Sequence, residues 1–142
     1  MINKVTERHL QSLMKILLLT SSLTLSLLFS AGSWAEWTQV STAFDGSNKS
    51  YVDFDRIRKV NGLVYYWTIQ DLLEPTEEGD MSYKVYYKAD CETMRAMNLT
   101  FTWYSLPMAE GTAAGTFTPD PEWHYAQPDS VLETTLLAVC AH

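Results

Sequence analysis

Cysteine and histidine are scarce in this chain of 142 residues, which contains two cysteines and three histidines. Neither cysteine has a second cysteine or a histidine at the spacing of a zinc site. No GxSxG motif marks a nucleophilic serine, and no free cysteine accompanies His124 as the partner of a catalytic triad. We therefore assign no catalytic residue, no metal ligand and no cofactor from the sequence.

Basic residues are also few, since 10 Lys and Arg stand against 17 Asp and Glu, a net charge of −7. Residues 36–142 alone hold seven basic and sixteen acidic residues, a net charge of −9. So acidic a surface repels phosphate backbones and anionic lipids, which argues against nucleic-acid binding and against membrane attachment through a basic patch. The expected partners are proteins or peptides, cations or neutral ligands.

A long hydrophobic run is missing too, because the mainly apolar stretch 16–29 has 14 residues whereas a membrane-spanning helix needs about 20. Lys15 precedes this stretch, and Ser33-Trp34-Ala35 follows it as a small-x-small cleavage site. We predict that residues 1–35 are a signal peptide cleaved after Ala35, with Met14 as an alternative start. Residues 36–142 then form a single mature domain.

Alternating apolar and polar residues between turn motifs predict five strands, and a sixth is a weaker prediction in the glycine-containing segment 106–117. At the C-terminus, Ser130 and Glu133 form a capping box ahead of an apolar stripe that ends at Cys140. The sequence therefore predicts an α+β fold, an antiparallel sheet of five to six strands with a C-terminal helix packed on one face. The five strands are expected at 37–44, 50–54, 63–72, 83–91 and 96–104.

Cys91 and Cys140 both lie in the exported part of the chain, where oxidising conditions favour a disulfide. Cys91 shares the apolar face of its strand, and Cys140 lies on the apolar stripe of the helix. We expect a bridge between them to fasten the helix to the sheet.

The alternation also predicts which side chains point inward and outward. In the strand 63–72 we place Leu63, Tyr65, Trp67 and Ile69 in the core, and in 96–104 Met97, Leu99, Phe101 and Trp103. On the outward face we place a mixture of tyrosine and lysine that is typical of contact surfaces. The candidate binding residues are Tyr66, Tyr86, Lys84 and Lys88. As alternatives, these rings cover their own sheet as cross-strand pairs or form a homodimer face.

Two further clusters are weaker candidates for chemistry. His124 lies in an aromatic segment between two prolines, and four carboxylates fall within residues 74–80. A small periplasmic hydrolase built around them is the least favoured hypothesis. A solvated loop explains the carboxylates without a calcium ion.

The order of several segments resembles the surface-adhesin protein E family of bacterial envelope proteins. The resemblance rests on Trp37, on Trp123 and on the segments 51–58, 61–72, 81–91 and 128–140, including both cysteines. It implies an antiparallel sheet with a disulfide-tethered C-terminal helix, and binding of host extracellular-matrix proteins. Unlike the lipid-anchored adhesin of that family, this chain has no cysteine directly after its apolar run.

We therefore expect a periplasmic or secreted protein without a membrane anchor after cleavage. The favoured function is a non-enzymatic, adhesin-like module that binds a protein partner. The alternative is a structural or assembly role in the periplasm with no host ligand.

Processing gives the first testable prediction. Intact-mass spectrometry of exported protein should show a chain that begins at Glu36 and carries no acyl group, because Ser33 and Ala35 form the cleavage site and no cysteine follows it. A mass that includes residues 1–35 or a lipid would contradict the predicted localisation.

Overall fold

The computed structural model describes residues 36–142. The predicted signal peptide, residues 1–35, lies outside the described residues. Within 36–142, no helix is long and apolar enough to cross a membrane.

The predicted fold class is confirmed, because an antiparallel sheet carries one C-terminal helix on one face. Two short 3-10 turns, Phe54–Arg56 and Pro107–Ala109, interrupt the sequence of strands. The strands are β1 (Trp37–Thr42), β2 (Asn48–Asp53), β3 (Arg58–Val60), β4 (Leu63–Leu72), β5 (Ser82–Asp90), β6 (Arg95–Tyr104), β7 (Ala113–Phe117) and β8 (Trp123–Tyr125), and the helix is α1 (Val131–Ala141).

The sheet has the strand order β1-β2-β4-β5-β6-β7, with β3 and β8 paired beside this path. The first half of β4 pairs with β3 and its second half with β2. In the same way, β6 pairs with β8 near its start and with β7 near its end. Asn61 and Gly62, both at positive φ (51° and 78°), make the tight turn from β3 to β4 that the Asn-Gly dipeptide predicts.

α1 begins as the capping box predicts. The Glu133 backbone N–H donates to Ser130 Oγ at 3.1 Å, and the Glu133 carboxylate accepts from the Asp129 N–H at 2.8 Å. The helix packs on β1, β2 and β4 and buries Leu136 and Val139 completely. These two side chains join Val52, Val64, Tyr66, Ala89 and Ala96 in the core.

The predicted inward face of β4 is wrong. Val64, Tyr66 and Thr68 face α1 and are fully or almost fully buried, whereas Tyr65 and Trp67 lie on the opposite face and are only half-buried. β4 carries apolar side chains on both faces, so its alternation does not determine which face the helix covers. Contact with α1 decides which face of β4 becomes the core.

The predicted inward face of β6 is wrong at Met97, because a β-bulge shifts the alternation. Tyr86 pairs with Thr100, but Tyr87 pairs with Asn98, so Leu99 is an extra residue that shifts the alternation. Phe101 remains on the α1 side, where its partner Val85 is buried. Met97 is instead on the opposite face, beside Trp123 and Lys88.

The segment after β6 folds back over one end of the sheet instead of continuing directly as a strand. The Ser82 hydroxyl donates to the Leu106 carbonyl at 2.6 Å, and the Met108 N–H donates to Asp71 Oδ1 at 2.7 Å. Ile69 and Ser82 are buried at this end, and β7 begins only at Ala113. This covering segment explains why Ile69 is buried on the face away from α1.

The predicted bridge between Cys91 and Cys140 is confirmed. It joins the turn after β5 to the last turn of α1, with the two Cα atoms 5.8 Å apart, and both residues pack against the core. The bridge closes a sequence separation of 49 residues. In the chain-entropy view, closing a loop of that length stabilises a fold by about 4 kcal/mol.

Replacing both cysteines by alanine should therefore lower the free energy of unfolding by up to about 4 kcal/mol and the melting temperature by many degrees. Thermal unfolding followed by circular dichroism measures the change. A reducing agent should destabilise the parent protein and leave the double variant unaffected. Two titratable thiols in the native, air-oxidised parent would contradict the bridge.

Candidate functional site

The face of the sheet that lies away from α1 carries a continuous group of aromatic and cationic side chains. We call this group the cation–aromatic strip. It crosses β4, β5, β6 and β8 in register and consists of Tyr65, Trp67, Lys84, Tyr86, Lys88, Arg95, Tyr104, Trp123 and Tyr125.

Stacked rings form the centre of the strip. Trp67 of β4 lies opposite Tyr86 of β5, and their ring centroids are 4.6 Å apart with an interplanar angle of 24°. Tyr65 packs against Tyr86, with the ring centroids 6.2 Å apart. All three side chains remain partly exposed. Because the rings hold one another in place, they lose little side-chain freedom when a partner binds.

Two lysines lie over aromatic rings of the strip. Lys84 Nζ is 5.6 Å from the Trp67 ring centroid and 5.5 Å from that of Tyr104. Lys88 Nζ is 5.1 Å from the Trp123 ring. These distances are within the range of cation–π attraction, which holds the ammonium groups in place at the surface.

Arg95 anchors the far end of the strip. Its guanidinium lies 4.5 Å from the Trp123 ring and 5.8 Å from the Tyr125 ring. It also donates to the Asp90 carboxylate through two nitrogens, at 3.0 and 3.2 Å. Hydrogen bonds from Thr93 and Arg95 lower the pKa of Asp90, so this carboxylate is charged and already paired.

Beside the stacked rings, the chain leaves an open cavity of about 390 Å³. The turn between β2 and β3 and the start of β3 form one wall, with Arg56 and Arg58 among its residues. Trp67 and Tyr86 form the other wall. Asp55 and Ile57 complete the lining, so the cavity brings two arginines, one aspartate and two aromatic rings to one recess at the edge of the strip.

Three of the four predicted binding residues, Tyr86, Lys84 and Lys88, lie together on this strip. Tyr66 does not, and its predicted outward position is wrong. It is fully buried on the α1 side, where it packs in the core cluster with Leu136 and pairs with Tyr87. A binding role for the other three residues stays a prediction.

Sequence reasoning missed Trp67, Trp123 and Arg95. The alternation in β4 places Trp67 in the core. Trp123 reaches the strip only because β8 pairs with β6, and Arg95 reaches it through the register of β6 against β5. Lys84, Tyr86 and Lys88 alternate outward in β5, and this pattern could have predicted that Trp67 is also on the outward face. A cross-strand partner shares the face of the residue that it opposes. That inference needs the register of β4 against β5, which the sequence does not state.

The structure does not bring together the residues of the hydrolase hypothesis. His124 pairs with Ala96 near the start of β6, whereas the acidic loop 74–80 follows the opposite end of the sheet, after Leu72. The cavity that His124 lines contains no serine, cysteine or carboxylate, since its other residues are Tyr87, Ala96, Asn98 and Leu132. Across residues 36–142, no three potential metal ligands among His, Cys, Asp and Glu come together.

Three tyrosines form a second aromatic group under and beside α1. Tyr66 stacks on Tyr87 with ring centroids 5.2 Å apart and an interplanar angle of 13°. Burial raises the pKa of Tyr66, of Tyr83 and of Tyr87 above the ordinary value. These hydroxyls therefore keep their protons at pH values where an exposed tyrosine ionises.

Together these features define a small disulfide-closed α+β domain with a cationic, aromatic sheet face. The chain belongs to the Surface-adhesin protein E family, whose family model matches residues 37–141. Membership places it among the adhesin-like surface proteins. None of the curated proteins is significantly similar to it in sequence.

Solved structures of Haemophilus influenzae protein E have the same fold. Crystal form II is 16% identical to this chain, with a TM-score of 0.55 over 72% of this chain and 87% of that one. Protein E from a non-typeable strain is 15% identical, with a TM-score of 0.55 over 78% of this chain and 79% of that one. At this identity the likeness shows the fold alone.

The buried tyrosines predict how stability changes in alkali. Above pH 10 the unfolded chain loses phenolic protons that Tyr66, Tyr83 and Tyr87 retain in the folded protein, so the free energy of unfolding should fall as the pH rises above about 10. Urea denaturation on both sides of pH 10 measures this loss. Tyr87→Phe should reduce the slope, and Tyr65→Phe on the exposed face should not. Equal slopes in the parent and in Tyr87→Phe would contradict the prediction.

Proposed function

We propose that this protein is an exported, non-enzymatic binding module that recognises an acidic segment of a protein partner through the cation–aromatic strip. The observation that carries the proposal is the stacking of Trp67 on Tyr86, with the Lys84 ammonium over the rings of Trp67 and Tyr104. Tryptophan, tyrosine and arginine are the residues that most often dominate the energetics of protein interfaces.

The distribution of charge supports an acidic partner. Of the seven Lys and Arg in residues 36–142, strand register puts five on the face away from α1. They are Lys49, Arg58, Lys84, Lys88 and Arg95. A protein of strongly negative net charge thus has most of its cations on one side, where they attract carboxylates.

The three carboxylates that the strands place on the same face already have partners, one of which is Arg95, so they do not neutralise Lys84 and Lys88. Asp53 contacts Arg56 at 3.3 Å, Asp71 accepts from the Met108 N–H at 2.7 Å, and Asp90 is paired with Arg95 at 3.0 Å. Lys84 and Lys88 have rings as their neighbours instead. Their charges are therefore available to a partner.

Export and the nature of the partner belong to the same proposal. The predicted signal peptide and the disulfide support a location outside the cytoplasm. Family membership favours a host extracellular-matrix protein as the partner. The periplasmic alternative uses the same strip on another envelope protein. Capture from matrix extract and from envelope extract, with the mature domain immobilised, distinguishes the two.

The decisive test is a pair of double variants assayed against solubilised extracellular-matrix proteins. Lys84→Glu with Lys88→Glu should weaken binding at least tenfold, because two attractions become repulsions. Trp67→Ala with Tyr86→Ala removes two anchors worth about 1 to 2 kcal/mol each, which again is tenfold or more. Binding by the parent should weaken as salt rises, since screening weakens exposed charge pairs.

Lys59→Glu is the matched control, because Lys59 pairs with Val64 and so points to the other side of the sheet. It should leave affinity unchanged. If both double variants remain folded and bind matrix and envelope proteins like the parent, the strip is not the binding surface. Sedimentation of the same variants shows whether the strip instead mediates a homodimer, which would also contradict recognition of a different protein.

A further inference from the structure

Two of the three cations in the cation–aromatic strip have no carboxylate partner. Arg95 is paired with Asp90 at 3.0 Å. Neither Lys84 nor Lys88 forms an ion pair with any carboxylate of residues 36–142. Their ammonium groups lie over aromatic rings instead, and this attraction restricts where each charge can be. The positions of these two lysines therefore determine where the carboxylates of a partner fit best.

The two lysines lie on one line along β5. Lys84, Tyr86 and Lys88 alternate in the strand, so all three side chains leave it on the same side. A strand rises about 3.4 Å per residue, which puts the Cα atoms of the two lysines about 13 Å apart. Tyr86 is midway between them and stacks on Trp67 of β4. The strip thus offers two charges with an aromatic centre between them.

An extended segment matches this line better than a helix does. In an extended chain, residues i, i+2 and i+4 share one side at the same spacing as the three side chains of β5. A helix brings residues i and i+7 to one side only about 10 Å apart, because it rises about 1.5 Å per residue. Carboxylates at i and i+4 of an extended segment therefore reach Lys84 and Lys88, and the side chain at i+2 reaches Tyr86.

The open cavity of about 390 Å³ beside Tyr86 favours an aromatic side chain at the central position. Trp67 and Tyr86 form one wall, and Ile57 and Arg58 belong to the other. A flat ring stacks on tyrosine or tryptophan and attracts a guanidinium through its face, which an aliphatic side chain does not do. Asp55 is the one carboxylate in the lining, so a third acidic side chain gains less there than a ring.

The acidic loop 74–80 limits how many carboxylates the partner presents. This loop lies between β4 and β5, at the end of the sheet that is nearer to Lys84 than to Lys88. None of its four carboxylates forms an ion pair within residues 36–142. A run of negative charge that continued past Lys84 would approach them and be repelled. The strip therefore suits two spaced carboxylates better than a long polyanion.

We infer that the strip recognises an extended segment that lies along β5 and carries two acidic residues four positions apart with an aromatic residue midway between them. The inference rests on the proposed function, because it specifies the acidic segment that the strip binds.

The test is a fluorescence-anisotropy titration of the exported protein with labelled synthetic peptides of one composition. The matching peptide has two glutamates four positions apart, a phenylalanine midway between them and threonine elsewhere. In its two isomers the second glutamate is one or three positions after the first, which in an extended chain puts the carboxylates on opposite sides. The matching peptide should bind about two- to fivefold more tightly than either isomer, because each isomer leaves one lysine unpaired.

Two further peptides test the conformation and the central residue. An alanine-rich helical peptide with glutamates seven positions apart, and a phenylalanine between them, presents both carboxylates on one side of a helix. It should bind more weakly than the matching peptide. Leucine in place of phenylalanine should weaken the matching peptide about twofold or more, since the ring contacts are lost.

Lys84→Gln and Lys88→Gln should each abolish the preference for the matching peptide over its isomers, because a single lysine does not distinguish the spacing of two carboxylates. Lys59→Gln is the matched control, since Lys59 pairs with Val64 and points to the other side of the sheet. It should keep the preference. Circular dichroism checks that all three variants are folded.

The inference is overturned if the isomers, the helical peptide or the leucine peptide bind the parent as tightly as the matching peptide. It is also overturned if the preference persists in Lys84→Gln and Lys88→Gln, or if no peptide binds while Lys84→Glu with Lys88→Glu abolishes matrix binding. In these cases the proposed function stands as long as matrix binding depends on the strip. If that double variant binds matrix and envelope proteins like the parent, the proposed function fails, and this inference fails with it.

Discussion

The packing of α1 against one face of β4 is the contact on which the other features of this domain depend. Leu136 and Val139 are completely buried beside Val64 and Tyr66, and the bridge from Cys91 to Cys140 holds the last turn of the helix in place. Once this face is covered, the part of the opposite face that the segment after β6 does not cover remains at the surface. The helix thus decides which aromatic side chains become core and which become available to a partner.

The two faces of the sheet carry different chemistry as a result. Under the helix, the buried Tyr66 stacks on the half-buried Tyr87, and burial raises the pKa of both hydroxyls so that they stay neutral. On the open face, tryptophan and tyrosine rings alternate with lysine and arginine. Cation–π contacts let a small acidic protein keep a locally positive surface without a carboxylate beside every cation.

Much of the fold was predictable from local patterns. The capping box at Ser130, the stripe that includes Leu136 and the Asn61-Gly62 turn each depend on neighbours in sequence, and the structure confirms all three. The outward face of β5 was also predictable, because Lys84, Tyr86 and Lys88 alternate with buried Val85 and Ala89. In that strand only one face is apolar enough to be core.

The sequence by itself therefore determined the fold class, the pairing of the only two cysteines, and the lysines and the tyrosine of β5 that belong to the exposed face. Tertiary structure decided the rest of the site. β4 is apolar on both sides, so only contact with α1 separates Tyr66 from Trp67, and only the bulge at Leu99 moves Met97 to the open face. Trp123 and Arg95 meet because β8 pairs with β6, a long-range contact that no local alternation encodes.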